Sequence, residues 1–222
     1  MRKDVLTSLL AVAVFTLLLG LAYPLAVTGV SQLTMRDRAN GSLVERDGRT
    51  VGSRLIAQDF RRPALDAAGD PQLDADGEPV LVADERYFQP RPSVTGYAAD
   101  ATAFSNLGPN GVETRDAIGD RIDAYLELER RFVPELDAKR IPVDAVTASG
   151  SGVDPWISVA NARIQAHRVA AVRGLPLDRV RGLIDDHTRE RALGVLGEPG
   201  VDVLALNLAL DGPSTPKTGA AR

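Results

Sequence analysis

The 222-residue chain has no cysteine, which excludes disulfides and thiolate metal sites and leaves its redox compartment unmarked. Histidine occurs only at His167 and His187, a spacing that matches no metal-site pattern. Lysine is nearly missing beyond the first residues, with only Lys139 and Lys217, and the formal net charge is −4. A phosphate-binding surface needs concentrated Lys and Arg, so nucleic acid is excluded as a partner. Charge of either sign is absent from Val5 through Met35.

Leu, Ala and Val dominate that uncharged stretch, above all from Leu6 to Val27. About 20 helical residues at roughly 1.5 Å each match a hydrocarbon core of about 30 Å, where a helix satisfies its own backbone. The sequence therefore predicts a short cytoplasmic tail at 1–5 and a transmembrane helix in the lipid bilayer over 6–28, with Tyr23 at headgroup level and Pro24 near the helix end. A cleaved signal peptide is the competing reading, since Met1-Arg2-Lys3 and Gly20-Leu21-Ala22 imitate its two ends. The apolar stretch outruns a secretory core of about 7–15 residues, which favours the anchor. Arg2 and Lys3 precede the segment, and Arg36, Arg38, Arg46 and Arg49 follow it. Long domains translocate largely regardless of charge, so the basic tail places the N-terminus inside and the domain outside the cytoplasm. With no charge mid-membrane, the segment anchors or packs through Thr7, Ser8, Gly20, Thr28 and Gly29 and does not conduct.

Residues 29–210 suffice for one domain with a core, and the net charge there is about −5 once Arg2, Lys3 and Asp4 are set aside. The expected class is α+β: a single N-terminal transmembrane helix followed by one mixed α/β soluble domain. Asn40-Gly41-Ser42-Leu43 leads into a strand, and Asp47-Gly48 turns a hairpin into a second over Thr50–Ile56. Residues 66–86, rich in Asp, Gly, Ala and Pro, form a flexible surface insertion. Ile118, Ile122, Tyr125, Leu128 and Phe132 share one helix face, closed by Pro134. A second helix starts at Asp154-Pro155 and stops before Gly174, and a third opens at Leu175-Pro176 and runs to about His187. Val201–Leu210 is a closing strand, 211–222 is a disordered tail, and no repeat of fixed period stands out.

The candidate chemistry is sparse. Gln72, Asp74, Asp76 and Gly77 suggest a calcium loop, but the first position is not acidic and Ala83 stands where a bidentate Glu is needed. Thr147-Ala148-Ser149-Gly150-Ser151-Gly152 precedes the expected helix start at Asp154, an arrangement that can cradle an anion, although no Gly-Lys-Ser/Thr follows. A serine nucleophile at Ser149 or Ser151 with His167 or His187 gives an alternative reading as a membrane-tethered hydrolase, but Thr147 breaks Gly-x-Ser-x-Gly. Arg163, His167 and Arg168 share a helical surface that could meet acidic groups, and Trp156 is either core or an interfacial anchor. No catalytic residue and no metal ligand emerges.

The order of strings along the chain is more specific. Tyr23-Pro24-Leu25, Ala39-Asn40-Gly41-Ser42-Leu43, Gly52-Ser53-Arg54-Leu55-Ile56-Ala57-Gln58, Tyr87-Phe88-Gln89-Pro90-Arg91-Pro92-Ser93 and Ser105-Asn106-Leu107-Gly108-Pro109 follow one another. Ile141-Pro142-Val143-Asp144, Asp154-Pro155, Gln165 with Arg168-Val169-Ala170, and Val203-Leu204 with Leu206-Asn207 continue the series. Together they resemble the C subunit of the bacterial Kdp potassium-transporting ATPase, with departures at Trp156, Ala103-Phe104 and Asp202. The resemblance implies a non-catalytic accessory subunit in the bacterial inner membrane. Its partners would be a channel-like subunit, a P-type ATPase subunit and a small membrane peptide. It also implies a catalytic chaperone that raises nucleotide affinity, with Gln58, Ser149, Gly150, Ser151, Gly152 and Asp154 as nucleotide contacts. No cofactor would be firmly held, and ATP would bind only jointly with the ATPase subunit. The expected position of the domain outside the cytoplasm conflicts with ATP contact and favours a role capping the potassium-admitting side.

Overall fold

The computed structural model describes residues Arg2 to Gly212, so Met1 and the expected tail from Pro213 onward lie outside the described residues. The chain divides into two compact units, one ending at Leu43 and one from Val44.

In the first unit, α1 (Arg2–Leu17), a π-helical turn (Leu18–Ala22) and α2 (Tyr23–Thr34) form one continuous helix of 33 residues. It is long and apolar enough to cross a membrane, and none of its described side chains is buried. The helix runs beyond 6–28 at both ends, so Pro24 lies inside it and not near its end. Pro24 has no N–H, and its ring would strike the carbonyl four residues back, at Gly20. The wider π turn that immediately precedes Tyr23 relieves that clash without breaking the helix. A one-turn helix, α3 (Arg36–Ala39), follows.

The second unit is α+β, as predicted. It opens with the hairpin β1 (Leu43–Arg46) and β2 (Arg49–Ser53). Asp47 (φ 52°) and Gly48 (φ 76°) both sit in the left-handed region, which a type I′ turn requires. The second strand stops at Ser53 instead of Ile56, because the Ser53 hydroxyl takes the Leu55 N–H at 3.1 Å and turns the chain. β3 (Arg61–Pro63) pairs antiparallel with β4 (Leu81–Ala83).

The exposed loop between β3 and β4 contains a tandem repeat that the sequence reading missed. Leu65-Asp66-Ala67-Ala68-Gly69-Asp70-Pro71 is followed by Leu73-Asp74-Ala75-Asp76-Gly77-Glu78-Pro79. The two copies fold alike. Asp66 Oδ1 accepts from the Ala68 and Asp70 N–H groups, and Asp74 Oδ1 accepts from those of Asp76 and Glu78. Bridges Leu65↔Pro71 and Leu73↔Pro79 close each turn. One carboxylate oxygen of each of Asp66 and Asp74 thus holds its own turn by accepting two backbone N–H groups.

The remaining elements are α4 (Val112–Glu129), α5 (Val143–Val146), β5 (Trp156–Ile157), α6 (Val159–Arg173), α7 (Leu177–Asp186), β6 (Thr188–Arg189), β7 (Gly200–Asp202) and α8 (Val203–Leu210). The last sheet is antiparallel in the order β5-β7-β6. α6 starts at Val159, later than predicted, because Trp156 and Ile157 pair with Asp202 and Val201. Ser158 caps it by accepting the Asn161 N–H at 3.1 Å, and Gly174 (φ 62°) ends it in the left-handed region. The expected closing strand over 201–210 is mostly helix. Only Gly200–Asp202 is strand; Asp202 then caps Ala205 N, and the Leu/Ala run propagates as α8. In α4, Ile118, Ile122, Tyr125 and Leu126 pack on Val133, Leu136, Ile141 and Val146, so Leu126 replaces the predicted Leu128 and Phe132 on the inner face.

The main core gathers Phe88, Ile157, Val169, Val180, Ile184, Val201 and Leu206. Phe88 belongs to residues 85–92, which form no strand because Pro90 and Pro92 cannot donate to a ladder. Side chains satisfy this backbone instead. Asn207 Oδ1 accepts the Phe88 N–H and Asn207 Nδ2 donates to the Phe88 carbonyl, both at 2.9 Å. Gln165 does the same for Gln89 at 2.7 and 3.1 Å. Arg168 Nη1 donates to the carbonyls of Glu85 and Tyr87 at 2.7 and 2.9 Å. Asn207→Leu or Gln165→Leu should each destabilise the chain by roughly 2–6 kcal/mol, because each strands two backbone groups at about 1–3 kcal/mol apiece. Urea unfolding in detergent micelles measures the difference.

Candidate functional site

The structure brings the resemblance-derived residues together. Ala57 N–H donates to the Val153 carbonyl at 2.8 Å, setting Gln58 beside the loop 149–154. Ser149 N–H donates to the Pro92 carbonyl at 3.0 Å, and Ser93 Oγ donates to the Gly152 carbonyl at 2.6 Å. Arg91 and Asp154 form an ion pair at 3.0 Å. The loop is thus latched to the proline-rich strip by contacts at its start, middle and end.

Most of its polar groups are engaged internally. Asp154 Oδ1 accepts the Trp156 N–H, Ser151 Oγ accepts the Val153 N–H, and Gln58 Nε2 donates to the Ile56 carbonyl. Gly52 leaves room for Gln58: a Cβ there would come within 2.9 Å of the Gln58 side chain. Gly152 has φ 76° and would meet Thr95 Oγ1 at 2.8 Å if it carried a side chain. Because α6 begins at Val159 and is capped by Ser158, Asp154-Pro155 is not a helix start, and the loop does not feed a helix N-terminus as expected. Trp156 lies in β5 with Arg189 over its ring at 4.4 Å.

The serine-hydrolase arrangement finds no nucleophile–base pair among these residues. Ser149 is buried and its hydroxyl has no hydrogen-bond partner, Ser151 accepts from backbone, and His187 Nδ1 faces the Leu183 carbonyl at 2.8 Å. Among the described residues, no group of three or more His, Cys, Asp or Glu is placed to hold a metal. A groove of about 680 Å³ includes Arg61, Arg62, Arg121 and Arg131 in its lining, and another of about 470 Å³ includes Arg163, His167 and Arg181. Neither involves the candidate loop.

The expected surface of Arg163, His167 and Arg168 is split. Arg163 is exposed and lies 3.6 Å from Asp185, whereas Arg168 is fully buried and pairs with the equally buried Glu129 at 2.9 Å. The reason is the polar stripe Asn161, Gln165, Arg168, spaced four and three apart on the inner face of α6. This stripe runs into a buried network. Asp144 accepts from Ser158 and Asn161, and Asn161 Oδ1 accepts from Tyr125 and Gln165. Gln165 Oε1 in turn accepts from Arg168. That spacing, between Ala and Val positions, is the signal in the sequence for a buried polar stripe.

Burial pushes the Glu129 carboxyl above its ordinary value and outweighs the attraction of Arg168. Burial likewise pushes the Tyr97 phenol up to about 12. For Glu129 the folded state holds its proton more tightly than the unfolded state. Its contribution to stability is therefore full below pH 4.5 and is lost as pH rises from there through the raised folded value. Thermal unfolding from pH 4.5 to 7 should show a steeper decline for the native chain than for Glu129→Gln.

An apolar N-terminal helix long enough to cross a membrane, followed by one α+β unit, defines a membrane-associated class of protein. The family model "KdpC: K+-transporting ATPase, c chain" matches residues 5–212, and the chain belongs to that family. It is 45% identical over 213 residues to a potassium-transporting ATPase KdpC subunit of Mycobacterium tuberculosis, covering 95% of this chain and 99% of the relative. It is 45% identical to the subunit of the same name from Rhodospirillum rubrum, covering 95% and 96%, and 46% identical to that of Polaromonas naphthalenivorans, covering 95% of each.

Proposed function

We propose that this chain is the non-catalytic accessory subunit of an ATP-driven, high-affinity potassium import complex. Its helix fixes it in the bilayer beside a channel-like subunit, a P-type ATPase subunit and a small membrane peptide. Its domain lies outside the cytoplasm and caps the potassium-admitting side, supporting assembly and activity. The observation that carries this reading is the internal use of the domain's polar groups: the 149–154 loop, the proline-rich strip and the buried network mostly hold one another, and chemistry is left to other chains. Removing residues Ser42–Asp211 while keeping the anchor should abolish high-affinity potassium uptake by cells grown at low potassium. Unchanged uptake would show that the domain has no part in import.

A second reading is nucleotide contact by Gln58 with Ser149, Gly150, Ser151, Gly152 and Asp154, made jointly with ATP on the ATPase subunit and raising its nucleotide affinity. The contact between Ala57 and Val153, which gathers these residues, favours it. Sidedness decides between the two. With no native cysteine to interfere, single cysteines at Lys3 and at the exposed Gly150 can be labelled with an impermeant maleimide in intact spheroplasts. Labelling at 150 from outside is the expected result, and labelling there only after lysis would instead favour nucleotide contact.

A further inference from the structure

The groove of about 680 Å³ is lined by β3, β4 and α4 together with Gln89 and Pro92 of the proline-rich strip. Its character follows from two short stretches of sequence. In α4, Ile118, Ile122, Tyr125 and Leu126 pack toward the core. Arg121, Ala124 and Leu128 recur three and four residues apart on an adjoining face, and Arg131 extends that spacing just past the helix end. Leu128 is thus drawn to the groove and not to the core. On the β4 side, Leu81 and Val82 belong to the aliphatic run of the otherwise polar insertion and stay 42% and 37% exposed. An aliphatic surface from a strand and a helix is therefore left uncovered by the domain itself.

Charge in the lining states what the ligand must carry. Arg61 is held by Asp59 at 2.8 Å and lies over the Tyr97 ring, and Arg131 is paired with Glu85 and lies over Phe132. Gln89 Nε2 donates to the Phe60 and Asp84 carbonyls, and the Tyr125 hydroxyl donates to Asn161. Arg62 and Arg121 differ: among the described residues neither is ion-paired, and each makes a long contact of 3.4 Å to a backbone carbonyl, of Pro63 and Val146 respectively. Glu127, exposed, is the remaining charge of the lining. Two unpaired guanidiniums against one carboxylate leave an excess of one positive charge, which suits a monocarboxylate better than a phosphate dianion. Grooves of about 300–1,000 Å³ with a mostly apolar lining and a few polar groups hold small molecules, and a guanidinium fork matches a carboxylate. We propose that this groove binds a free single-chain fatty acid, with its aliphatic chain along Leu81, Val82, Ala124 and Leu128 and its carboxylate met by Arg62 and Arg121. The proposal uses none of the candidate nucleotide contacts and stands independently of the subunit reading.

The test uses the full chain in phosphatidylcholine nanodiscs and a decanoic acid carrying a diazirine on its chain as the probe. Photolysis should attach the probe to peptides containing residues 81–83 and 121–131, as located by mass spectrometry. Unlabelled decanoate should compete about tenfold better than decanol, which has the same chain and no charge, the scale of one charge-assisted contact. Ala124→Trp, a change at an exposed position, should fill the groove and lower labelling about tenfold, and Arg62→Gln combined with Arg121→Gln should do the same with the melting temperature of the native chain. Equal competition by decanol overturns the proposal, because the head is then not recognised. Labelling that is unchanged in both variants, or spread evenly over the chain, identifies an adventitious additive only and also overturns it. The competition needs no variant, so it decides even if a substitution prevents folding. Diazirine-bearing phosphatidylglycerol built into the nanodiscs supplies the last arm: if it labels residues 81–83 and 121–131 with no decanoate present, the groove takes bilayer lipid and the free fatty acid is ruled out.

Discussion

Residues 85–92 cross the domain with prolines that forbid a strand ladder, and the side chains of Asn207, Gln165 and Arg168 supply the hydrogen bonds that a neighbouring strand would have given. Buried backbone that loses its partners costs far more than a paired one gains, so these three residues are obligatory wherever the strip is buried. Much else follows from their placement. Gln165 and Arg168 must point inward from α6, which draws Asn161, Tyr125 and Glu129 into the same network. Asn207 must point inward from α8, which requires α8 to be a helix docked over Phe88. The loop at 149–154 then closes on the far end of the strip through Pro92, Ser93 and Arg91.

That dependence explains what was and was not legible in the sequence. Features set by local chemistry were readable: the uncharged helix, the Asp47-Gly48 turn, the glycine stop at 174, and the inner face of α4 at Ile118, Ile122 and Tyr125. Features set by long-range pairing were not. Trp156-Ile157 reads as the first turn of a helix until β7 lies beside it, and Val201–Leu210 reads as a strand until Asp202 caps it. Arg168 was misplaced because charge on a helix is normally solvated, and only the backbone carbonyls of Glu85 and Tyr87 with Glu129 make its burial tolerable. The eight-residue repeat in the insertion escaped because its signal is turn chemistry, Asp then Gly then Pro, and not hydrophobic period.

The same residues bear on the candidate site. A helix starting at Asp154 would aim free N–H groups and its dipole at the loop 149–154. With the helix starting at Val159, the carboxylate of Asp154 is turned to Arg91 and Trp156, and the loop reads as a latch. Gln58 and the loop are neighbours because both hold the strip and the adjoining hairpin in place. Proximity of family-characteristic residues is thus accounted for by folding alone, and their further use at an interface is a separate question that sidedness answers.

Strain in this chain is distributed unevenly, and the distribution is informative. Most of the tight turns, at Gly48, Gly69, Gly77, Gly152 and Gly174, place glycine in the left-handed region, where it costs little. Leu193 departs from that practice at a fully solvated position, beside two further exposed aliphatic residues. An asparagine would relieve the turn without disturbing any contact in the domain, so the folded chain by itself gives no physical reason for leucine.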